Sequence, residues 1–412
     1  MLSEKLHVPS LLQLLLSGLG LLVLIPAAFG LAVFGLVSAA SGPLQGQSDS
    51  QGALLLAWVV SLVCLLITPS ALMALYRLLG KKVPRPNLKY PLRTASLLML
   101  LWPGIMLVGA QLSQATWGWL LLPPLQILAV ALPIWWFVEL GRFGLPASPG
   151  PQRSWGVLSI SLLVSPPLII TLEMLLLALV AVFVLFLISS RPELVEQLSG
   201  LAQRVVNSQV DYEELLLILR PVFNQPGFIA GLIGVIAGLM PVVEELFKPL
   251  PLWFLVSRKM TPAEGFKNGL ICGAAFALLE SLISISSQNG EWALMAAGRM
   301  GTGLLHVITT ALVGWGLASA WSNKAYLKLG AAFLISAGLH GIWNIFGILL
   351  GISPVAGFPA GSLTGSLSAA APLALSALSV LLFLLLTGAN RILRRDLYDS
   401  SESWKTARSE NL

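Results

Sequence analysis

The sequence predicts an all-α fold, a polytopic transmembrane helix bundle of about ten spans, and three observations predict it. Of 412 residues 56% are hydrophobic and only 10% charged, too few charges to cover a water-facing surface. The apolar residues fall into runs of roughly 20 or more, the length a helix needs to cross a bilayer. The Lys and Arg residues gather in every second loop, as the positive-inside rule requires of a correctly counted set of spans. That placement also accounts for the net charge of +6 and the pI near 9.5. The basic residues belong to short interhelical loops facing lipid headgroups, so no nucleic-acid partner is implied.

The runs lie near 10–39, 53–79, 93–112, 117–140, 155–189, 227–248, 266–286, 292–320, 328–351 and 371–389. The N-terminus, Met1 to His7, carries little positive charge and no small-residue cleavage site, so the first run reads as a retained span. Lys81, Lys82, Arg85, Lys89 and Arg93 follow the second run, and Arg142 and Arg153 the fourth. Arg258, Lys259 and Lys267 follow the sixth, Lys324 and Lys328 the eighth, and Arg391, Arg394 and Arg395 the tenth. Loops 40–52, 113–116, 287–291 and 352–370 contain neither Lys nor Arg. Both termini are therefore expected in the cytoplasm, with the chain integral to the plasma membrane.

Segment 191–226 is polar and carries Arg191, Glu193, Glu196, Arg204, Asp211, Glu213, Glu214 and Arg220. Its apolar residues recur at helical spacing, which predicts an extracytoplasmic amphipathic segment. The sequence thus divides into a 1–190 region of about five spans, this 191–226 segment, a charge-bearing 227–350 core, and a 351–412 last span and tail. Pro166-Pro167 predicts a kink in the fifth run, where Glu173 is an isolated acid. Cys64 and Cys272 both lie in apolar runs, which excludes a disulfide framework or a thiolate zinc site as the organising feature.

Chemistry concentrates in 227–350. Charges inside a membrane helix cost roughly 2.5–3.5 kcal/mol on insertion scales, so they mark sites. Pro241-Val-Val-Glu244-Glu245-Leu-Phe-Lys248-Pro-Leu-Pro251 ends the sixth run with two acids and an ammonium. In a helix Glu244 and Lys248 share a face and can pair, while Glu245 points about 100° away. Pro249 and Pro251 lack the N–H groups that would continue the helix, so it is expected to bend or break there. Gly227, Gly231, Gly234 and Gly238 line the same run at the spacing that lets another helix approach closely.

The seventh run carries Phe276 and Glu280 on one face, Glu280 roughly 20 Å along the helix from Lys267. The eighth carries Arg299 and His306, seven apart and so also on one face, with Thr302, Thr309 and Thr310 nearby. The ninth carries His340 and Asn344 at i, i+4. Taken singly, a membrane histidine or asparagine reads as an interhelical hydrogen-bonder, and Arg299 as a snorkelling terminus. Taken together, four consecutive runs bring polar groups inward while the other six mostly do not. Buried charges need partners or a wet cavity, so these residues are expected to share one pocket. A carboxylate there can take a proton from water, and imidazole and carboxamide donors can hold an oxyanion.

Glu244-Glu245-x-x-Lys248, Phe276-x-x-x-Glu280, Arg299…His306 and His340-x-x-x-Asn344, in this order over about 227–350, resemble the PrsW family of intramembrane proteases. That family is related to the CAAX-prenyl and bacteriocin-processing proteases. The resemblance implies an intramembrane peptidase acting on a membrane-embedded protein or peptide. It implies that Glu244 activates the attacking water, with Glu245 and Glu280 supporting or sharing that role. His306 would orient the water or bind a metal, and His340 and Asn344 would polarise the scissile carbonyl. Where the prenyl-protease relatives place a histidine one turn after the motif phenylalanine, this chain has Glu280.

Metal dependence stays open. Glu244, Glu280, His306 and His340 are the candidate ligands for a divalent ion such as Zn²⁺, but the helical H-E-x-x-H spacing of zincins is absent. Lys248 one turn from Glu244 favours the ionised carboxylate, so hydrolysis by a metal-independent general base is equally in keeping with these residues. A secondary transporter with a proton or substrate path through the same residues is the competing class, and a non-catalytic scaffold with a polar core a third. Against transport, the two halves show no internal repeat, and the broken helix occurs once.

Overall fold

The computed structural model describes residues 7–40, 47–83, 89–115, 117–146, 150–189, 226–255, 260–284, 292–359 and 361–409, together with Ser199 and Gln203. The expected amphipathic segment 191–226 and the basic residues Arg85, Arg258 and Lys259 fall almost wholly or wholly outside them. Among the described residues every regular element is a helix.

In order these are α1 (Val8–Ala40), α2 (Gln47–Leu78), α3 (Pro91–Met99), α4 (Trp102–Leu112), a short 3₁₀ turn at Gly118–Leu120, α5 (Leu122–Arg142), α6 (Pro151–Leu163) and α7 (Ser165–Ser189). Then come α8 (Pro226–Ile233), a π-helical stretch at Gly234–Leu239, α9 (Met240–Phe247), α10 (Leu250–Trp253), α11 (Pro262–Ser284), α12 (Trp292–Asn323), α13 (Tyr326–Ala356) and α14 (Leu363–Ser409). Nine helical stretches are long and apolar enough to span a bilayer, and α3 with α4 makes a tenth if the pair is one bent span. The pair bends by 41°. Pro103 explains the bend, because it has no N–H for the Met99 carbonyl one turn back. Each of the ten apolar runs thus falls on helix, nine of them on candidate spans among the described residues. The kink expected at Pro166-Pro167 is a break at Val164, between α6 and α7.

The chain forms two compact units. The first comprises Met1–Pro166, Lys248–Ser336 and Ser379–Leu412, the second Pro167–Phe247 and Ala337–Leu378. In the first unit α12 is the central helix, with 89% of its apolar window buried against 6% for α1, which turns its residues outward. α11 packs on α12 through three glycines. A Cβ at Gly265, Gly269 or Gly273 would strike the backbone of Gly314, Thr310 or His306 respectively. Each step of four residues along α11 matches four back along α12, which fixes an antiparallel register at backbone contact distance.

The glycines expected to pack tightly behave differently. A Cβ at Gly227, Gly231, Gly234 or Gly238 meets nothing within 4 Å. The close approach to this stretch is made instead by Gly341 of α13, on the Ala237 carbonyl, and the glycines that seat α11 on α12 are Gly265, Gly269 and Gly273. Cys64 and Cys272 are buried free thiols.

Candidate functional site

The sequence-selected residues form two clusters, one within each unit. In the first unit the α11–α12 register dictates the geometry. Glu280 lies seven residues beyond Gly273, and Arg299 seven before His306, so the register that seats Gly273 on His306 sets Glu280 opposite Arg299. Arg299 Nη1 donates to Glu280 Oε1 at 2.9 Å. His306 Nε2 donates to Glu280 Oε2 at 2.5 Å. Both oxygens of Glu280 are thus engaged by donors from α12.

The other side of the His306 ring is set by Lys248 and Phe276. Lys248 Nζ donates to His306 Nδ1 at 2.7 Å and lies 4.5 Å from the Phe276 ring centroid. Phe276 meets His306 edge-on at 5.2 Å. An ammonium has no lone pair to offer, so Nδ1 must be the acceptor, which places the imidazole proton on Nε2, toward Glu280. Lys248 and His306 are both buried, while the Glu280 side chain is 36% exposed. The row Lys248–His306–Glu280–Arg299 is an acid and an imidazole set between two cations.

Lys248 reaches this place because the helix stops before it. α9 ends at Phe247, and Pro249 caps the short α10. The expected break at the prolines is therefore present. Lys248 is the residue directly after the last helical one, so its side chain leaves the helix at the break.

In the second unit two adjacent acids meet one imidazole. His340 Nδ1 is 3.0 Å from Glu245 Oε1, a hydrogen bond in which the ring nitrogen donates. His340 Nε2 is 3.7 Å from Glu244 Oε1. All three residues are buried. The donation to Glu245 fixes the tautomer and leaves Nε2, on the Glu244 side, as the acceptor nitrogen. Both acids thus address one ring, although a regular helix points them about 100° apart.

Asn344, one turn after His340, does not meet the acids in any described contact. Its Nδ2 donates to the Ile236 carbonyl at 2.9 Å. Thr302 and Thr309 bond carbonyls of their own helix. Three features escape a reading of the sequence for site residues: the Gly265/Gly269/Gly273 stripe, Phe276 as the ring packed on both Lys248 and His306, and the contact of Asn344 with Ile236. The first had a visible signal, a G-x-x-x-G-x-x-x-G run directly before Phe276.

Comparison with known proteins identifies a family. The family model described as PrsW family intramembrane metalloprotease matches residues 166–370, which include every residue of both clusters. No curated protein and no solved structure matches the chain.

Proposed function

With residues 166–370 placing the chain in the PrsW family as an intramembrane peptidase, we propose that it hydrolyses a peptide bond of a membrane-embedded protein or peptide with Glu244 as the base. The observation that carries this is the buried Glu244–His340–Glu245 arrangement. Glu245 fixes the His340 ring through Nδ1, and Glu244 stands beside Nε2. A carboxylate so placed can take a proton from water, and an oriented imidazole can pass a proton to the leaving amine. Glu245 acts through the ring and is a positioning residue.

The second cluster serves charge development. As water adds to the scissile carbonyl, negative charge appears on its oxygen, and preorganised donors stabilise it most when water is excluded. Lys248 and Arg299 are the cations available for this, held by His306 and Glu280. The peptide nitrogen leaves as an amine after protonation, and the acyl carbon leaves as a carboxylate.

The donor types suit a divalent metal ion: carboxylates and imidazoles are what zinc takes. His340 has the arrangement of a ligating histidine, one ring nitrogen anchored on a carboxylate. Within the second unit a metal would be held by Glu244 and His340; in the first, His306 has both ring nitrogens engaged, Nδ1 by Lys248 and Nε2 by Glu280. When bound the metal would acidify a water and polarise the carbonyl. The chain's own residues still supply the proton transfers and the orientation of the ring.

The test compares membrane proteomes of cells carrying the wild-type chain and Glu244→Gln at equal abundance. A membrane protein cleaved only with the wild type supports the reading. Identical proteomes together with lost solute uptake in vesicles would move the assignment to transport. Chelation followed by elemental analysis of the purified protein decides the metal. We further propose a plasma-membrane location with both termini cytoplasmic, resting on the alternation of basic loops; a tag at each terminus protected from external protease in intact cells is the expected result.

A further inference from the structure

The strongest unassigned feature lies in the second unit, just before the glutamate pair. Met240 N–H donates to the Val235 carbonyl, five residues back, so the helix is wound in the wide π register there. In that register the next carbonyl, that of Ile236, needs the N–H of residue 241. In the α register the carbonyl of Ala237 needs the same group. Residue 241 is Pro241, which has no N–H. With the Met240 N–H spent on Val235, the Ile236 carbonyl lacks a helical donor where the winding stays π, and the Ala237 carbonyl lacks one where it returns to α.

Both carbonyls are met by the helix that carries His340. Asn344 Nδ2 donates to the Ile236 carbonyl at 2.9 Å. Gly341, beside His340, lies against the Ala237 carbonyl so closely that a Cβ at that position would strike it. The glycine is needed because a backbone carbonyl occupies the place of the side chain. Between these two contacts His340 holds Glu245 at 3.0 Å and stands 3.7 Å from Glu244. The π turn also sets the phase of α9. One extra residue in a turn rotates the downstream helix by roughly 100° relative to a regular helix, enough to replace Glu244 and Glu245 by Val243 or Leu246 on a given face.

We propose that Asn344 is a positioning residue that maintains the Pro241-dependent π turn, and that it aligns Glu244 and Glu245 on His340 instead of binding the oxyanion of the substrate. The effect on cleavage rests on Glu244 being the base; the effect on the turn does not. Asn344→Leu removes the donor at similar size. It is expected to raise amide hydrogen exchange across 234–247 at least tenfold while leaving 262–284 unchanged, and to lower cleavage of the substrate found by the proteome comparison at least thirtyfold.

Pro241→Ala supplies the missing N–H. The double variant Pro241→Ala/Asn344→Leu is therefore expected to regain slow exchange over 234–247 and most of the lost cleavage. An oxyanion donor predicts otherwise. If Asn344→Leu leaves exchange unchanged while cleavage falls, or if the double variant regains protection without cleavage, Asn344 acts on the substrate and the proposal is overturned. It is also overturned if the second substitution restores neither. Asn344→Ser, which keeps a donor of shorter reach, replaces the leucine variant if that fails to accumulate. Exchange needs no substrate, so slow exchange lost and regained with no cleavage role for Glu244 sinks the base assignment alone.

Discussion

The two polar clusters use the same residue types and are held in opposite ways. Around His306 the acid Glu280 is matched by Arg299 and, through the ring, by Lys248, all referred to the backbone seam of α11 and α12. Around His340 two neighbouring acids share one ring, on a segment with a π turn before it and a helix break after it. The first arrangement sets one acid and a neutral imidazole between two cations on a close-packed frame. The second concentrates acid on a stretch whose backbone departs from regular helix at both ends. Water activation needs a carboxylate and charge stabilisation needs fixed donors, so on the function proposed above the contrast divides the two tasks.

The largest effect should come from the acid-rich cluster. Glu244→Gln keeps the shape of the side chain and removes its basicity, and general-base catalysis contributes about 10²–10⁴-fold. We expect cleavage to fall by about that factor with membrane abundance unchanged. Glu280→Gln keeps an acceptor for His306 and Arg299, so a loss nearer tenfold is expected. Equal losses for the two at equal stability would erase the division of labour.

Next in size is Lys248→Met, which replaces a buried ammonium by an apolar chain of similar length. Removing one member of a buried charged set leaves the others uncompensated, at a cost of up to about 3–5 kcal/mol. Without the ammonium at Nδ1 the His306 tautomer is no longer fixed toward Glu280. Cleavage per folded molecule is expected to fall about 10- to 100-fold, alongside a lower melting temperature. A large drop in stability with specific activity retained would make Lys248 a structural tie.

Much of this is legible in the sequence, and what is not has identifiable causes. Hydropathy places each of the nine candidate spans among the described residues, because burial in lipid acts on each segment separately. The prolines after Lys248 foretell the break at Phe247. One helical inference does not carry over. The glycine stripe at 227–238 and the stripe at 265–273 have similar spacing, and spacing alone says that a helix can be approached, not that it is. Asn344 is readable as interhelical glue or as an oxyanion donor. Its contact with Ile236 depends on a π turn, and no local pattern distinguishes five-residue from four-residue winding ahead of a proline.

The two glycine stripes therefore offer the next and smaller test. Gly273→Ala puts a methyl group against the His306 carbonyl, which belongs to α12 backbone and cannot step aside. Overpacking of this kind costs about 1–3 kcal/mol, expected as a lower melting temperature. Because His306 is the group displaced, cleavage per folded molecule should fall as well. Unchanged melting and activity would mean that the α11–α12 seam is looser than its glycines indicate.

The smallest effect should come from Gly231→Ala, and its sign matters more than its size. Gly231 lies in α8, where an added Cβ meets nothing within 4 Å. Substituting alanine for glycine at a compatible helical position restricts the unfolded chain and stabilises by about 0.4–1 kcal/mol. The variant should melt slightly higher than the wild type, opposite in sign to Gly273→Ala, with cleavage unaltered. A lower melting temperature would show that this stripe does meet a neighbour, as its spacing suggests. Two glycines in the same sequence pattern would then differ only in degree, and the close packing attributed to the frame of the His306 cluster would lose its structural basis.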